Sequence, residues 1–220
     1  MNVLNEYLYI GRSAGVVFIF LAIVVGAIRF RGLSGALRYV FYFVLLGGAT
    51  EILSDLYKVY ISSKNTMPIS HVYRTFSVLM LCLFYLRVLK GYIHKRYLWG
   101  AISLFAIFAV LNPLFFQSIY DYPNILGAVG GILLIVFSIL YFARIMTEAK
   151  IEKLHNHPEV RVNVAILVYY TGNFFFYILY NLNLSYSDEF TRLTLYFYVI
   201  MNILFYATIG SAFFVARKGK

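Results

Sequence analysis

The stretch 124–146, NILGAVGGILLIVFSILYFARIM, decides the fold class of this chain. It contains no charged side chain before Arg144. A helix rises 1.5 Å per residue, so about 20 apolar residues cross a bilayer core of about 30 Å. The run does not alternate between apolar and polar residues, as a membrane β-strand does. The stretch therefore predicts a transmembrane α-helix.

The rest of the chain has the same character. Of its 220 residues, 62% are hydrophobic, 20% are aromatic and only 13% are charged, and the mean hydropathy is +0.78. Soluble proteins are roughly half apolar and about a quarter charged. This composition excludes an ordinary soluble domain and makes the lipid bilayer the expected partner. The single cysteine, Cys82, cannot form an internal disulfide, and we expect it to pack in the core.

Seven apolar runs of spanning length follow one another, at 13–28, 38–57, 67–89, 98–116, 124–146, 162–182 and 193–215. Seven spans of about 20 residues use roughly 140 residues, which leaves no room for a soluble catalytic domain. Pro68, Pro123 and Pro158 lie at or between the ends of runs, whereas Pro113 should kink or end the fourth helix. We predict one all-α domain over 1–220, with seven transmembrane helices.

The basic residues predict how the bundle is oriented. Of the 19 Lys and Arg residues, 14 lie in alternate connections and in the tail, and four lie on the other side. Basic short connections stay in the cytoplasm, so the prediction places the amino terminus outside and the carboxyl terminus in the cytoplasm. Topology thus explains the net charge of +10. We find no motif that indicates nucleic acid as a partner.

Four ionisable residues interrupt the second and third runs, where charge is costly in lipid. Glu51 and Asp55 are four residues apart and share one helix face, and His71 and Arg74, three apart, share another. The helical rise places Glu51 and Arg74 both roughly 5 Å outward of the midplane. It places Asp55 and His71 both roughly 10 Å outward. This match in depth predicts an Arg74–Glu51 pair and a His71–Asp55 pair.

Three interpretations of these four residues are open. They can form an ion-pair clamp between the second and third helices. They can line an outward-facing pocket that binds a ligand or ion, or they can belong to a path for protons or ions. On the second interpretation, Glu51, Asp55, His71 and Arg74 are candidate binding residues.

The sixth and seventh runs add polar residues to this group. Tyr170 and Asn173 lie three apart in the sixth run, and Asn202 lies near the middle of the seventh. An amide in a membrane usually forms an interhelical hydrogen bond of about 0.6–2 kcal/mol. Helix packing therefore explains these residues as well as ligand binding does, and we include all three as candidate binding residues.

Several chemistries find no support in the sequence. The seventh run has no lysine that could hold retinal as a Schiff base. A catalytic zinc centre needs three protein ligands and an open position, and only Glu51, Asp55 and His71 offer them. No serine nucleophile motif or phosphate-binding glycine loop is present. We expect no enzymatic activity, no cofactor and no metal.

The polar motifs resemble those of one membrane protein family. They are Glu51-x-x-Ser54-Asp55, His71-x-Tyr73-Arg74, Tyr170-x-Gly172-Asn173 and Asn202-Ile203-Leu204. The combination resembles bacterial seven-helix membrane proteins that occur alone or as the membrane input region of sensor histidine kinases. The resemblance implies a cytoplasmic carboxyl-terminal side. Because this chain has no kinase module, it would have to act through a separate partner.

The sequence thus predicts a receptor-like or sensor-like module of the bacterial inner membrane, with a cytoplasmic or membrane-embedded signalling partner. A small secondary transporter or ion-coupled carrier is the first alternative, and a membrane-embedded enzyme that modifies lipids is the second. The ligand and the oligomeric state stay open at this point.

Overall fold

The computed structural model describes the backbone of residues 3–61, 65–148, 156–183 and 188–216, and their side chains except 3–12, 175–183, 188–192 and 195. Within these ranges the chain forms helices and no β-strand. The helices are α1 Val3–Arg29, α2 Gly35–Tyr60, α3 Met67–Val88, α4 Lys95–Phe115, α5 Asn124–Glu148, α6 Pro158–Asn183 and α7 Asp188–Val215. The prediction of an all-α chain with seven helices is confirmed.

Local sequence explains where several helices begin and end. The Ser34 hydroxyl caps α2 by accepting a hydrogen bond from the Leu37 backbone at 3.3 Å. Pro68 lies in the first turn of α3, where its missing N–H costs nothing. Pro113 lies two residues before the end of α4 at Phe115. This position agrees with the prediction that Pro113 kinks or ends the fourth helix. Gly91, with a φ of 89°, allows the tight turn between α3 and α4.

Most of the helices extend beyond the apolar runs that predict them, whereas α3 and α4 each end one residue before their runs do. The first run starts at residue 13, whereas α1 begins at Val3. The second run covers 38–57, whereas α2 covers Gly35–Tyr60. An apolar run marks only the part of a helix that meets hydrocarbon, whereas backbone hydrogen bonding continues into the polar interface.

Six of the helices contain a stretch that is long and apolar enough to cross a membrane. These stretches lie in α1, α2, α3, α4, α5 and α7. In α6 the side chains of residues 175–183 lie outside the described set, so the seventh span stays a prediction. Large apolar side chains are also exposed on the outside of the bundle, such as Leu104 and Val110, at 70% and 65%. Such a surface suits lipid, not water, and the chain is a multi-pass membrane protein.

The helices form a closed ring. Around it, α1 packs on α2, α2 on α3, α3 on α5, α5 on α6, α6 on α7, and α7 returns to α1. Helix α4 packs outside the ring against α3 and α5. We call the end with connections 61–66 and 116–123 the upper end. The opposite end, with connections 30–34 and 89–94, is the lower end.

Two features hold α5 in place. A Cβ on Gly130 would lie 2.8 Å from Val78 and 3.2 Å from Phe105, so glycine allows α3, α4 and α5 to meet closely. Below it, the buried Tyr85 hydroxyl donates a hydrogen bond to Asn163 Oδ1 at 2.8 Å. Asn163 Nδ2 donates to the Ser138 carbonyl at 3.2 Å. This network joins α3, α5 and α6 in the lower half.

Candidate ligand-binding site

A cavity of about 170 Å³ lies inside the ring, in its upper half. Residues of α1, α2, α3, α6, α7 and the connection 116–123 line it. Its walls are unusually rich in tyrosine, with Tyr73, Tyr122, Tyr169, Tyr170, Tyr198 and Tyr206. We call this space the tyrosine cavity.

Two charged residues line the tyrosine cavity, Glu51 from α2 and Arg74 from α3. The depth match in the sequence predicts that they share one level of the bundle, and the structure brings both to this space. Arg74 is only 9% exposed. A guanidinium so deep in a membrane bundle needs acceptors or negative charge around it. The cavity therefore offers a ligand one carboxylate and one guanidinium.

Arg74 also holds the upper wall of the cavity. Its Nη2 donates a hydrogen bond to the Tyr122 hydroxyl at 3.0 Å, and its guanidinium carbon lies 5.7 Å from the centre of the Tyr122 ring. The second contact is a cation–π interaction. Tyr122 belongs to the connection 116–123, which we call the lid loop. The guanidinium thus fixes the lid loop by two kinds of contact.

Two further side chains anchor the lid loop through its backbone. His71 Nε2 donates a hydrogen bond to the Asp121 carbonyl at 3.0 Å, since a carbonyl can only accept. Asn65 Nδ2 donates to the Tyr120 carbonyl at 2.9 Å. Residues 120, 121 and 122 are therefore each held by a residue in or just before α3. The lid loop closes the upper end of the tyrosine cavity.

The deeper wall is formed by a pair of tyrosines from α3 and α7. The hydroxyls of Tyr73 and Tyr206 lie 3.3 Å apart. They meet beside Gly47 of α2, where an added Cβ would lie 3.2 Å from the Tyr206 hydroxyl oxygen. The ring of Tyr206 stacks nearly parallel to that of Phe43, at 8°. Gly47 leaves the room that these hydroxyls occupy.

The wall between α6 and α7 uses the predicted polar residues. The Tyr169 hydroxyl donates to Asn202 Oδ1 at 3.3 Å, which confirms an interhelical contact for Asn202. Tyr170 lines the cavity beside it. Asn173, fully buried, instead donates from Nδ2 to the Tyr169 carbonyl in its own helix at 2.8 Å. The predicted interhelical bond of Asn173 gives way to this local bond, because a carbonyl four residues back is within easy reach.

The predicted pairing of His71 with Asp55 is wrong. Asp55 Oδ1 lies 3.4 Å from Lys58 Nζ, and the Asp55 side chain is 62% exposed. His71 contacts the lid loop instead, and neither residue lines the tyrosine cavity. Depth matching fixes the height of a residue but not its direction around the helix axis, and Asp55 has a local partner one turn away.

The sequence does not reveal the role of Tyr122 or of Gly47. Tyr122 lies in a short connection, which has no helical period from which its direction can be read. Gly47 lies in the pair Gly47-Gly48 of the second run, which is a sign of close packing but not of a cavity. Tyr73 lies in the motif His71-x-Tyr73-Arg74. The ionisable residues beside it are the feature of the sequence that could have pointed to Tyr73.

The cavity suits recognition of a small zwitterion. Glu51 can face a cationic group and Arg74 an anionic one, each through a charge-assisted hydrogen bond. Tyrosine faces attract ammonium groups as well. Among the described residues, no three His, Cys, Asp or Glu side chains cluster as metal ligands.

The lower end has a larger and more open cavity, of about 660 Å³, lined by Arg31, Arg38, Ser34 and Glu159 among others. Ser34 Oγ donates a hydrogen bond to Glu159 Oε1 at 2.7 Å. This bond joins the first residues of α2 and α6, two of the helices that wall the tyrosine cavity at their other ends. A movement of α2 against α6 above would change this contact below.

Comparison of the chain with family models, with curated proteins and with solved structures gives no match.

Proposed function

We propose that this chain is a receptor-like or sensor-like membrane protein that binds a small polar ligand in the tyrosine cavity and acts through a partner at its lower end. The closed ring around a polar cavity that contains Glu51 and Arg74 carries this proposal. Charged residues at membrane depth are costly, and they usually mark a functional site.

The lid loop supports a mechanism for the response. Arg74 already holds Tyr122, so an anionic group of a ligand competes with that hydroxyl for the guanidinium. A ligand that prefers one arrangement of the lid loop and of α2, α3, α6 and α7 shifts the population toward it. The Ser34–Glu159 contact at the lower end then reports the shift to a partner.

Orientation and location are part of the proposal. The upper end faces the outside and the basic lower end faces the cytoplasm of a bacterium, with the chain in the inner membrane. The distribution of Lys and Arg supports this orientation. The resemblance of the polar motifs to membrane input regions of sensor kinases supports the signalling role.

A ligand screen tests the proposal. Purified protein in lipid nanodiscs is heated with amino acids, polyamines and quaternary ammonium compounds, and the unfolding midpoint is measured. A ligand at 100 times its Kd stabilises the folded state by about 2.7 kcal/mol. We expect this gain in the wild type and in Asp55→Asn, whose carboxylate lies outside the cavity, but not in Glu51→Gln. A gain of equal size in Glu51→Gln would refute the cavity as the site.

A small carrier is the second candidate, and the position of the cavity inside the ring favours it, because alternating access starts from such a site. Tracer flux in proteoliposomes separates the two, with any compound that the screen finds. We expect binding without transport. Uptake that is abolished in Glu51→Gln would refute the receptor proposal and support a carrier.

A further inference from the structure

A second cavity, of about 140 Å³, adjoins the tyrosine cavity. It lies between α1 and α7, and Gly15, Val16 and Val199 form its outer part. Glu51 and Asn202 border both cavities. We call this second space the α1–α7 groove. The two cavities are therefore neighbours across Glu51 and Asn202.

The groove lies at the seam between α1 and α7, which are neighbours in the ring. The next residue after Val16 is Val17, 55% exposed, and the next after Val199 is Ile200, 53% exposed. These apolar side chains face the acyl chains of the bilayer. The groove thus lies beside apolar side chains on the outer surface of the bundle.

Space is available in the groove beside Gly15. An added Cβ on Gly15 would meet nothing within 4 Å. By area the groove is mostly apolar, although Glu51 and Asn202 reach it, whereas the tyrosine cavity beside it also has a guanidinium and more phenol hydroxyls. A mostly apolar groove next to a polar cavity matches a molecule with one apolar chain and one polar head.

We infer that the ligand is a single-chain amphiphile with a small zwitterionic head group, which enters from the bilayer between α1 and α7. Its head lies in the tyrosine cavity, with the cationic group at Glu51 and the anionic group at Arg74. Its chain lies along Gly15, Val16 and Val199. This inference rests on the proposed function and specifies the class of its ligand.

Photolabelling tests the inference directly. The probe is lysophosphatidylethanolamine with a diazirine in its acyl chain. The full-length protein is held in nanodiscs of phosphatidylglycerol, so that the bilayer itself offers no zwitterionic head. After illumination, mass spectrometry locates the label. We expect adducts at Gly15, Val16 and Val199, which line the groove, and we expect unlabelled lysophosphatidylethanolamine to suppress them.

Two competitors test the two halves of the ligand. Glycerophosphoethanolamine has the head without the chain, and lysophosphatidylglycerol has the chain with an anionic head. Each should compete at least about tenfold less well, because the first loses apolar burial and the second loses the cation that faces Glu51.

A pair of glycine variants supplies the matched control. In Gly15→Phe the new ring fills the groove, and labelling there should fall at least about tenfold. Gly100 of α4 also has nothing within 4 Å of an added Cβ, but it lies outside the ring. Gly100→Phe should leave labelling unchanged. Because both sites are open, both variants should fold.

The outcomes separate this inference from the proposal on which it rests. If glycerophosphoethanolamine competes as well as the full amphiphile and Gly15→Phe has no effect, the tyrosine cavity binds a ligand from water and the inference fails alone. If label appears only on the outer faces, at Val17 and Ile200, and no competitor removes it, the inference also fails. If Glu51→Gln binds the ligands of the wild type equally well, the amphiphile included, the tyrosine cavity is not the site and both fail.

Discussion

Arg74 of α3 and Tyr122 of the lid loop are joined by a hydrogen bond of 3.0 Å and by a cation–π contact of 5.7 Å. The two contacts close the tyrosine cavity from above and place a cation at its edge. On the proposed function, an anionic group of a ligand would compete with the Tyr122 hydroxyl for this guanidinium.

Tyr122→Phe should loosen the lid loop without removing the ring from Arg74. The change removes one hydrogen bond to a charged donor, which is worth roughly 1–3 kcal/mol. The Asp121 amide, which donates to the Ser118 carbonyl at 3.0 Å, should then exchange with deuterium about five- to 140-fold faster. Tyr120→Phe is the control, because the Tyr120 side chain is 66% exposed. Equal exchange rates in the two variants would show that Arg74 does not hold the loop.

His71→Ala should loosen the same loop, whereas Asp55→Asn should not. His71 donates to the Asp121 carbonyl, so its loss leaves a carbonyl of the lid loop without this donor. Asp55 has an exposed local contact with Lys58, and such pairs are worth at most about 1 kcal/mol. The free energy of unfolding of the double variant should equal the sum of the single changes. A coupling energy above about 0.5 kcal/mol would show that His71 and Asp55 interact as the sequence predicts.

The outcome for His71 and Asp55 shows what sequence reasoning can and cannot reach here. Long apolar runs predict the helices, because lipid allows few other structures to cross it. Charges within such runs stand out, so Glu51 and Arg74 are found, and the helical rise fixes their depth. The rotation of each helix about its axis depends on packing with all its neighbours. Partners across helices are therefore not readable from one sequence.

The lid loop marks a second limit. Tyr122 lies in a connection between two helices, and no period assigns its side chain to the inside or the outside. Contacts from Asn65, His71 and Arg74 hold the loop over the cavity. Two of these donors come from a helix about 50 residues earlier in the chain, so no local pattern contains the relationship.

Gly47→Ala should weaken the deeper wall of the tyrosine cavity. The added methyl group would lie 3.2 Å from the Tyr206 hydroxyl oxygen, which forces the Tyr73–Tyr206 pair to move. Such overpacking typically costs about 1–3 kcal/mol, although alanine favours the helix itself. Gly100→Ala, in open space, should be neutral or should stabilise by up to about 1 kcal/mol. Unfolding midpoints in nanodiscs measure the stability of both variants. A Gly47→Ala variant more stable than the wild type would show that the Tyr73–Tyr206 pair moves aside at little cost.

Asn163→Ala should be one of the more damaging single changes in the lower half. It leaves the Tyr85 hydroxyl without the Asn163 acceptor and removes a hydrogen bond to Ser138. An unsatisfied buried group costs about 1–3 kcal/mol. In the double variant with Tyr85→Phe, part of that loss should return, as a coupling of about 0.6–2 kcal/mol. Strict additivity in the free energy of unfolding would mean that the two side chains do not depend on each other.

Thiol labelling should show the lid loop on the outer side of the membrane and the connection 89–94 on the cytoplasmic side. The native thiol gives no background, because Cys82 is fully buried. In Tyr120→Cys the new thiol replaces an exposed side chain of the lid loop, and in Tyr92→Cys it replaces an exposed side chain of the 89–94 connection. A membrane-impermeant maleimide should label the first in intact spheroplasts and the second only after permeabilisation. The basic residues near the lower end require this order, because moving each of them across the membrane during insertion is unfavourable. Labelling in the opposite order would show that the bundle has the opposite orientation. The tyrosine cavity would then lie near the cytoplasm, which would contradict an external ligand.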